Sequence, residues 1–232
     1  MNLLLLRKES MEGDVVSFVF DPPSGFTWSA GQYMKVTLPH DNPDNRGIER
    51  WFTIAAPPYE KSPRITTRIF KDRPSSFKSA LNKLEPGDPL EVELPGGDFI
   101  LGDGGEDLVF IAAGVGITPF HAILSDLDHD GEMPNILFLY GVTMDDPLFH
   151  RELGGLASKY PSLKVQYLVD PARVDEEAIR KFVPDTKSPH YFVSGPEPMV
   201  NSVHKILLDL GVSAGNIEVD HFSGYTWPLV SS

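Results

Sequence analysis

Cysteine is missing from all 232 residues of the chain. That excludes disulfides, iron–sulfur clusters, thiolate zinc sites and a cysteine nucleophile on this chain. It is consistent with a cytoplasmic location. Nor does any window approach the run of about 18 apolar residues that a membrane helix needs. The apolar start, Met1 to Arg7, is too short and wrongly flanked for a signal peptide and reads as a first strand. Positive charge is scarce, with 20 Lys and Arg against 33 Asp and Glu and a net charge of −13. A chain this acidic is a poor nucleic-acid binder. Metal spacing such as His-Glu-x-x-His does not occur, and the seven histidines are scattered. His121 falls inside a helical run and reads as structural. No Ser/His/Asp triad or paired-carboxylate constellation stands out either.

The deficit of positive charge is uneven. Residues 1–101 hold 12 basic against 14 acidic side chains, a net of −2, and residues 102–232 hold 8 against 19, a net of −11. An acidic protein partner would therefore approach the first half. Lys61, Arg64, Arg68, Lys71 and Arg73 are its candidate basic patch, although a solvated face explains them as well.

The two halves also differ in pattern. The first half holds short β-rich runs at 3–7, 14–20, 30–38, 50–58, 64–70 and 90–94, divided by Gly/Pro turns, which favours a small antiparallel barrel. One stretch breaks that pattern. Phe77, Ala80, Leu81 and Leu84 lie at helical spacing, with Ser75 or Ser76 as N-cap. In the second half apolar strands alternate with helices, as in a parallel sheet covered on both faces. The fold expected is thus two-domain: an antiparallel β-barrel over 1–101, then an α/β parallel-sheet domain over 102–232.

One glycine stretch, residues 112–119, follows an apolar run and precedes a helical pattern. Gly114 and Gly116 permit a sharp turn, and Pro119 suits a first helical turn. Strand, glycine turn and helix in that order put unpaired backbone N–H groups and the helix dipole where an anion binds. Taken alone, the stretch is equally a plain strand-to-helix turn. Ser194 to Met199 repeats the same logic after a later strand.

The ordered set resembles the ferredoxin–NADP reductase superfamily. Arg50-Trp51-Phe52-Thr53 is similar to the family's Arg-x-Tyr-Ser/Thr flavin motif. The likeness continues through Gly31-Gln32-Tyr33, Pro86-Gly87-Asp88, Pro95 to Phe99, Gly114-x-Gly116-x-Thr118-Pro119 and Ser194-Gly195-Pro196-x-x-Met199.

The resemblance implies an FAD-binding barrel followed by an NAD(P)-binding domain. It implies an FAD-dependent NAD(P)H oxidoreductase that passes a hydride from nicotinamide to flavin N5 and then electrons to a separate acceptor. That acceptor would be a ferredoxin- or flavodoxin-like protein, an oxygenase component, a ferric chelate or a quinone. The alternative is a flavin- or nucleotide-binding subunit of a larger redox complex without turnover of its own.

By match, Arg50 bonds the flavin diphosphate, Phe52 packs on the flavin with Trp51 beside it, and Thr53 touches N5. Phe52 stands where the family has tyrosine. Without the family, Trp51 and Phe52 read as barrel core and Arg50 as a surface ion pair with Glu49. Ser75 and Ser76 start the helix that the family points at the diphosphate. Gly114, Gly116, Thr118 and Pro119 cradle the nicotinamide nucleotide, as do Gly195, Pro196 and Met199. Ser194 replaces the family's frequent cysteine beside the nicotinamide. Phe222, Tyr225 and Trp227 are candidates for a C-terminal aromatic on the flavin. NADH and NADPH both remain open. The acids Asp145 and Asp146 would repel a 2′-phosphate, whereas Arg173 would attract one.

Overall fold

A computed structural model describes residues 1–70, 75–102, 107–143 and 147–222, apart from the Phe222 side chain. The chain forms two compact units, one of Met1–Ile100 with His121–Asp126 and one of Leu101–Phe120 with Leu127–Ser232.

In the first unit the strands are β1 (Asn2–Ser10), β2 (Val15–Asp21), β3 (Tyr33–Thr37), β4 (Glu49–Thr53), β5 (Arg64–Arg68) and β6 (Pro89–Val92). They form one sheet in the order β4-β3-β6-β1-β2-β5, with antiparallel neighbours. The N–H of Ala55, just past β4, donates to the Arg64 carbonyl at 2.8 Å and draws the two ends of the sheet together into a barrel. Alternation places the core. In β1, Leu3 and Leu5 are buried while Asn2 and Leu4 are exposed. Helix α1 (Ser76–Lys83) seals the barrel with Phe77 and Leu81, both fully buried and one turn apart. Burying each is worth about 1.5–3 kcal/mol.

The expected strand over 50–58 stops at Thr53. Ile54 and Ala55 turn their N–H groups to Gln32 and Arg64, and two prolines follow.

In the second unit the order is β7 (Leu108–Ala113), a 3-10 turn (Gly114–Ile117), α2 (Thr118–Asp130), β8 (Ile136–Val142), α3 (His150–Lys159), β9 (Leu163–Val169), α4 (Glu176–Phe182), β10 (His190–Pro196), α5 (Glu197–Asp209) and β11 (Ile217–Phe222). Residues 121–126 of α2 belong to the first unit. The helical pattern from Pro147 begins as a helix only at His150, because Phe149 takes a left-handed conformation with φ of 60°.

All five strands are parallel, in the order β11-β10-β7-β8-β9. Both faces of the central strands are buried. Val109 and Ile111 face a core shared with Ile179, Val200, Val203 and Leu207. The ring of Phe110 on the opposite face lies 4.7 Å from Phe120 and 5.9 Å from Phe138. After β7 the chain moves outward through β8 and β9, then returns to the other side of β7 as β10 and β11. The order therefore reverses between β7 and β10, the place where open parallel sheets bind ligands at the carboxyl ends of their strands. Among the described residues, no helix is long and apolar enough to cross a membrane.

Candidate functional site

Two clusters of the expected residues form, one in each unit. In the second unit they meet at the switch point. Gly114 ends β7 with φ of 54°, and a Cβ there would have no atom within 4 Å. Gly116 has the opposite problem. A Cβ on it would lie 2.6 Å from the Gly195 Cα and closer still to the Ser194 carbonyl oxygen. Real Cβ atoms do not come so near backbone, so Gly116 is what lets the β7 and β10 termini touch. At Gly195 a Cβ would be 2.6 Å from Met199 Cε, the end of a flexible side chain that can move aside, and its φ of 154° is one that L residues rarely adopt.

The loop is held from beneath. Thr118 is buried and its hydroxyl donates to the Val115 carbonyl at 3.0 Å, and the Tyr140 hydroxyl donates to the Gly114 carbonyl at 2.9 Å. Nothing in the sequence marked Tyr140, which is 1% exposed and reads only as part of a strand. Ser194 is fully buried, and its Oγ has no hydrogen-bond partner among the described residues. Leaving such a hydroxyl unsatisfied costs about 1–3 kcal/mol. Pro119 lies in the first turn of α2, and Pro196 is the N-cap of α5.

The first-unit cluster gathers at the start of α1. Ser75 is the N-cap, with its side chain accepting from the Lys78 N–H at 3.2 Å. Arg50 reaches the same place because β4 is pleated. Its partner across β3 is Val36, and that of Phe52 is Met34, so 50 and 52 share the inner face. Phe52 is 9% exposed and lies in the barrel core, its ring 5.9 Å from that of Phe77. The Arg50 guanidinium lies over the same Phe77 ring at 5.1 Å.

The partner of Arg50 is not Glu49 but Asp44. Arg50 Nη2 donates to Asp44 Oδ1 at 2.9 Å, while Glu49 lies on the outer face and pairs with Lys35 at 3.1 Å. Arg50 Nη1 donates to the carbonyls of Arg46, Gly47 and Glu49 at 2.8, 3.0 and 2.6 Å. Asp44 Oδ2 accepts from the Ser76 N–H at 3.3 Å, and the Asp44 N–H donates to Ser76 Oγ at 2.8 Å. His40 completes the group. Its Nδ1 donates to the Leu38 carbonyl at 2.7 Å, and its Nε2 shares a hydrogen bond with Ser76 Oγ at 3.0 Å.

Burial works to raise the Asp44 carboxyl. The Arg46 N–H, the guanidiniums of Arg50 and Arg46, and Ser76 outweigh it and hold the group below its ordinary range. Arg50 is lowered from its ordinary value by burial and by Arg46, against the pull of Asp44, yet a guanidinium stays charged.

Trp51 and Thr53 share the outer face of β4. Trp51 is 59% exposed, so it is not core, and its ring meets that of Tyr33 edge-on at 5.1 Å. Thr53 is buried opposite Tyr33. Arg50 and Thr53 therefore point to opposite faces of one strand.

Residues 110–205 match the model of the oxidoreductase NAD-binding domain. Over 91% of its length the chain is 29% identical to an NADPH oxidoreductase of Mycobacterium tuberculosis, of which it covers 57%. The chain is thus well under two thirds of that relative's length. The FAD/NAD-binding domain of nitric oxide dioxygenase from Vibrio cholerae superposes with a TM-score of 0.79 at 22% identity, covering 95% of this chain and 98% of that one. Ferredoxin–NADP+ reductase from Plasmodium falciparum gives 0.78 at 16% identity, with 95% of each chain covered. The chain shares the fold of those two structures.

Within this fold some expected residues do not join either cluster. Phe222 is paired through its backbone with Pro196 at the end of β11, while Tyr225 and Trp227 lie outside the described residues. So do Asp145, Asp146, Lys71 and Arg73. Arg173 is exposed between β9 and α4. Of the candidate basic patch, Arg64 is paired with Glu60 at 2.8 Å and Arg68 lies over the Phe70 ring at 5.8 Å. His121 Nδ1 is 3.0 Å from the Ala55 carbonyl, a structural contact. Two members of the first cluster, Asp44 and His40, were invisible as site residues in the sequence, where they read only as a polar loop.

Proposed function

We propose that the chain is an FAD-dependent NAD(P)H oxidoreductase, with residues 1–101 as the flavin domain and 102–232 as the nicotinamide domain. The observation that carries this reading is the convergence of the Gly114–Gly116 and Ser194–Gly195 loops at the switch point, around a buried serine hydroxyl with no partner among the described residues. The first-unit cluster fits a flavin diphosphate, because Arg50 and the start of α1 already hold an anionic oxygen there.

When bound, the flavin supplies hydride acceptance and the release of electrons to a further acceptor. The chain's own residues bind, orient and shield. Arg50, Ser75 and Ser76 would hold the diphosphate, with Phe52, Trp51 and Thr53 along the flavin and Phe222 and Tyr225 at its exposed face. Gly114, Gly116, Thr118 and Pro119 would take the nucleotide phosphates of NADH or NADPH. Gly195, Pro196 and Met199 would shape the nicotinamide pocket, and Ser194 Oγ would gain its missing hydrogen bond from the nicotinamide end. Ser194 and Thr53 are the residues we assign to the reacting centre. A redox partner protein or a small molecule receives the electrons, and the cysteine-free sequence suits the reducing cytoplasm.

The test is anaerobic titration of the FAD-loaded protein with NADH and with NADPH, followed by an acceptor panel. Bleaching of the flavin absorbance is expected with at least one nucleotide. FAD retention without bleaching by either would leave a binding subunit instead.

Ser194→Ala separates cost from use. Removing an unsatisfied hydroxyl is expected to raise ligand-free stability by about 1 kcal/mol in urea unfolding. The same change should slow nicotinamide-dependent bleaching. A variant that is destabilised in urea would show that the hydroxyl is already satisfied, and would remove this argument for a ligand.

A further inference from the structure

The first-unit cluster holds an anion that belongs to the chain itself. Asp44 takes the Nη2 edge of Arg50 with one carboxylate oxygen and the Ser76 N–H with the other. These are the donors that the proposed reading gives to the flavin diphosphate. Nη1 is shared among three carbonyls, so the Nη2 side that Asp44 takes is the one left for a ligand. A phosphate and a carboxylate cannot both sit at one edge of one guanidinium. Two like charges about 4 Å apart repel each other, and more strongly at a protein surface than in bulk water. An empty pocket here would leave Arg50, which is largely buried, beside the cationic Arg46 without a counter-ion.

We propose that Asp44 is an internal anion occupying the diphosphate position, and that flavin binds by displacing this carboxylate. Asp44 therefore sets flavin affinity as a competitor. The loop of residues 40–47 carries it and meets α1 through the bonds of Asp44 and His40 to Ser76 and through the His40 ring against Phe77. Displacement thus breaks bonds at one point and leaves the barrel intact. The His40–Ser76 hydrogen bond and the Ser75 cap of α1 do not involve the carboxylate and stay in place when it leaves. This inference rests on the assignment of Arg50 to the flavin diphosphate.

The experiment compares wild type, Asp44→Asn, Asp44→Ala and Arg50→Ala, each stripped of flavin and titrated with FAD and with riboflavin, which has no phosphate. Asp44→Asn keeps an oxygen for the Ser76 N–H but not the charge. It should bind FAD about tenfold tighter, the size of one charge-assisted hydrogen bond no longer competed for. Riboflavin affinity should not change. Inorganic pyrophosphate gives a second readout that is independent of the flavin ring, and should raise the melting temperature of both Asp44 variants more than that of wild type. Equal or weaker FAD binding by both Asp44 variants, with FAD lost in Arg50→Ala, overturns the competitor and leaves Arg50 as the diphosphate ligand. Unchanged FAD binding by Arg50→Ala overturns the Arg50 assignment and the inference with it.

Discussion

Gly116→Ala should lower the melting temperature of the protein by roughly 10 °C, while Gly114→Ala should cost only a fraction of that. The two glycines are two residues apart in one loop, but they answer to different constraints. At 114 the problem is local. The positive φ of 54° strains any L residue by about 1–2 kcal/mol, but the added methyl meets nothing. At 116 the problem is tertiary. The methyl would run into the Ser194 carbonyl and the Gly195 Cα. Both are backbone, so no rotamer change relieves the clash, and β7 and β10 must part at their paired ends.

Overpacking of this kind costs about 1–3 kcal/mol or more. At roughly 2–4 °C per kcal/mol for a chain of this size, a cost at the upper end gives the stated shift. Parting the strands would also open the two loops that Thr118 and Tyr140 brace, so NAD(P)H-dependent bleaching should fall with stability. Circular dichroism melts of the two variants side by side decide the matter. Equal, mild losses would mean that the loops do not touch as described.

The pair also shows where sequence reading stops. That a turn lies at 114–116 is legible, because a buried strand must end before an amphipathic helix begins. What Gly116 avoids is not legible, because Ser194 is 78 residues away and only the strand order β10-β7 brings it there. The same boundary runs through the barrel. The inward set of β1 follows from alternation, and the α1 face from its period, both properties of one segment.

The partner of Arg50 follows from neither. Adjacency suggests Glu49, but successive strand residues point to opposite faces. The pleat sends Glu49 to Lys35 and Arg50 to Asp44 across the strand entry. Asp44 itself looks like any acid in a Pro/Asn/Gly loop until the loop is seen against α1, 32 residues on. A family motif directed attention to Arg50 and gave no sign that the arginine is already engaged.

Arg50→Ala should reduce FAD retention about a hundredfold, as expected if two charge-assisted hydrogen bonds of some 1.5–3 kcal/mol are partly replaced by water. The matched surface control, Arg68→Ala, should leave retention unchanged. The loss has a second component that a simple contact deletion would lack. Without the guanidinium, the carbonyls of Arg46, Gly47 and Glu49 lose their shared donor, and among the described residues Arg46 and the Ser76 N–H are left to meet the Asp44 charge at the α1 start. Breaking this partly buried pair from one side should therefore also destabilise the first unit by about 1–3 kcal/mol. Removing both partners should destabilise it less. In Arg50→Ala with Asp44→Ala the orphaned carboxylate is gone, so urea unfolding should recover part of the stability while FAD retention stays low. That split between a stability that recovers and a retention that does not distinguishes a ligand-binding arginine from a structural one. If retention recovered along with stability, Arg50 would be acting only as the counter-ion of Asp44, and the flavin diphosphate would have to be held elsewhere.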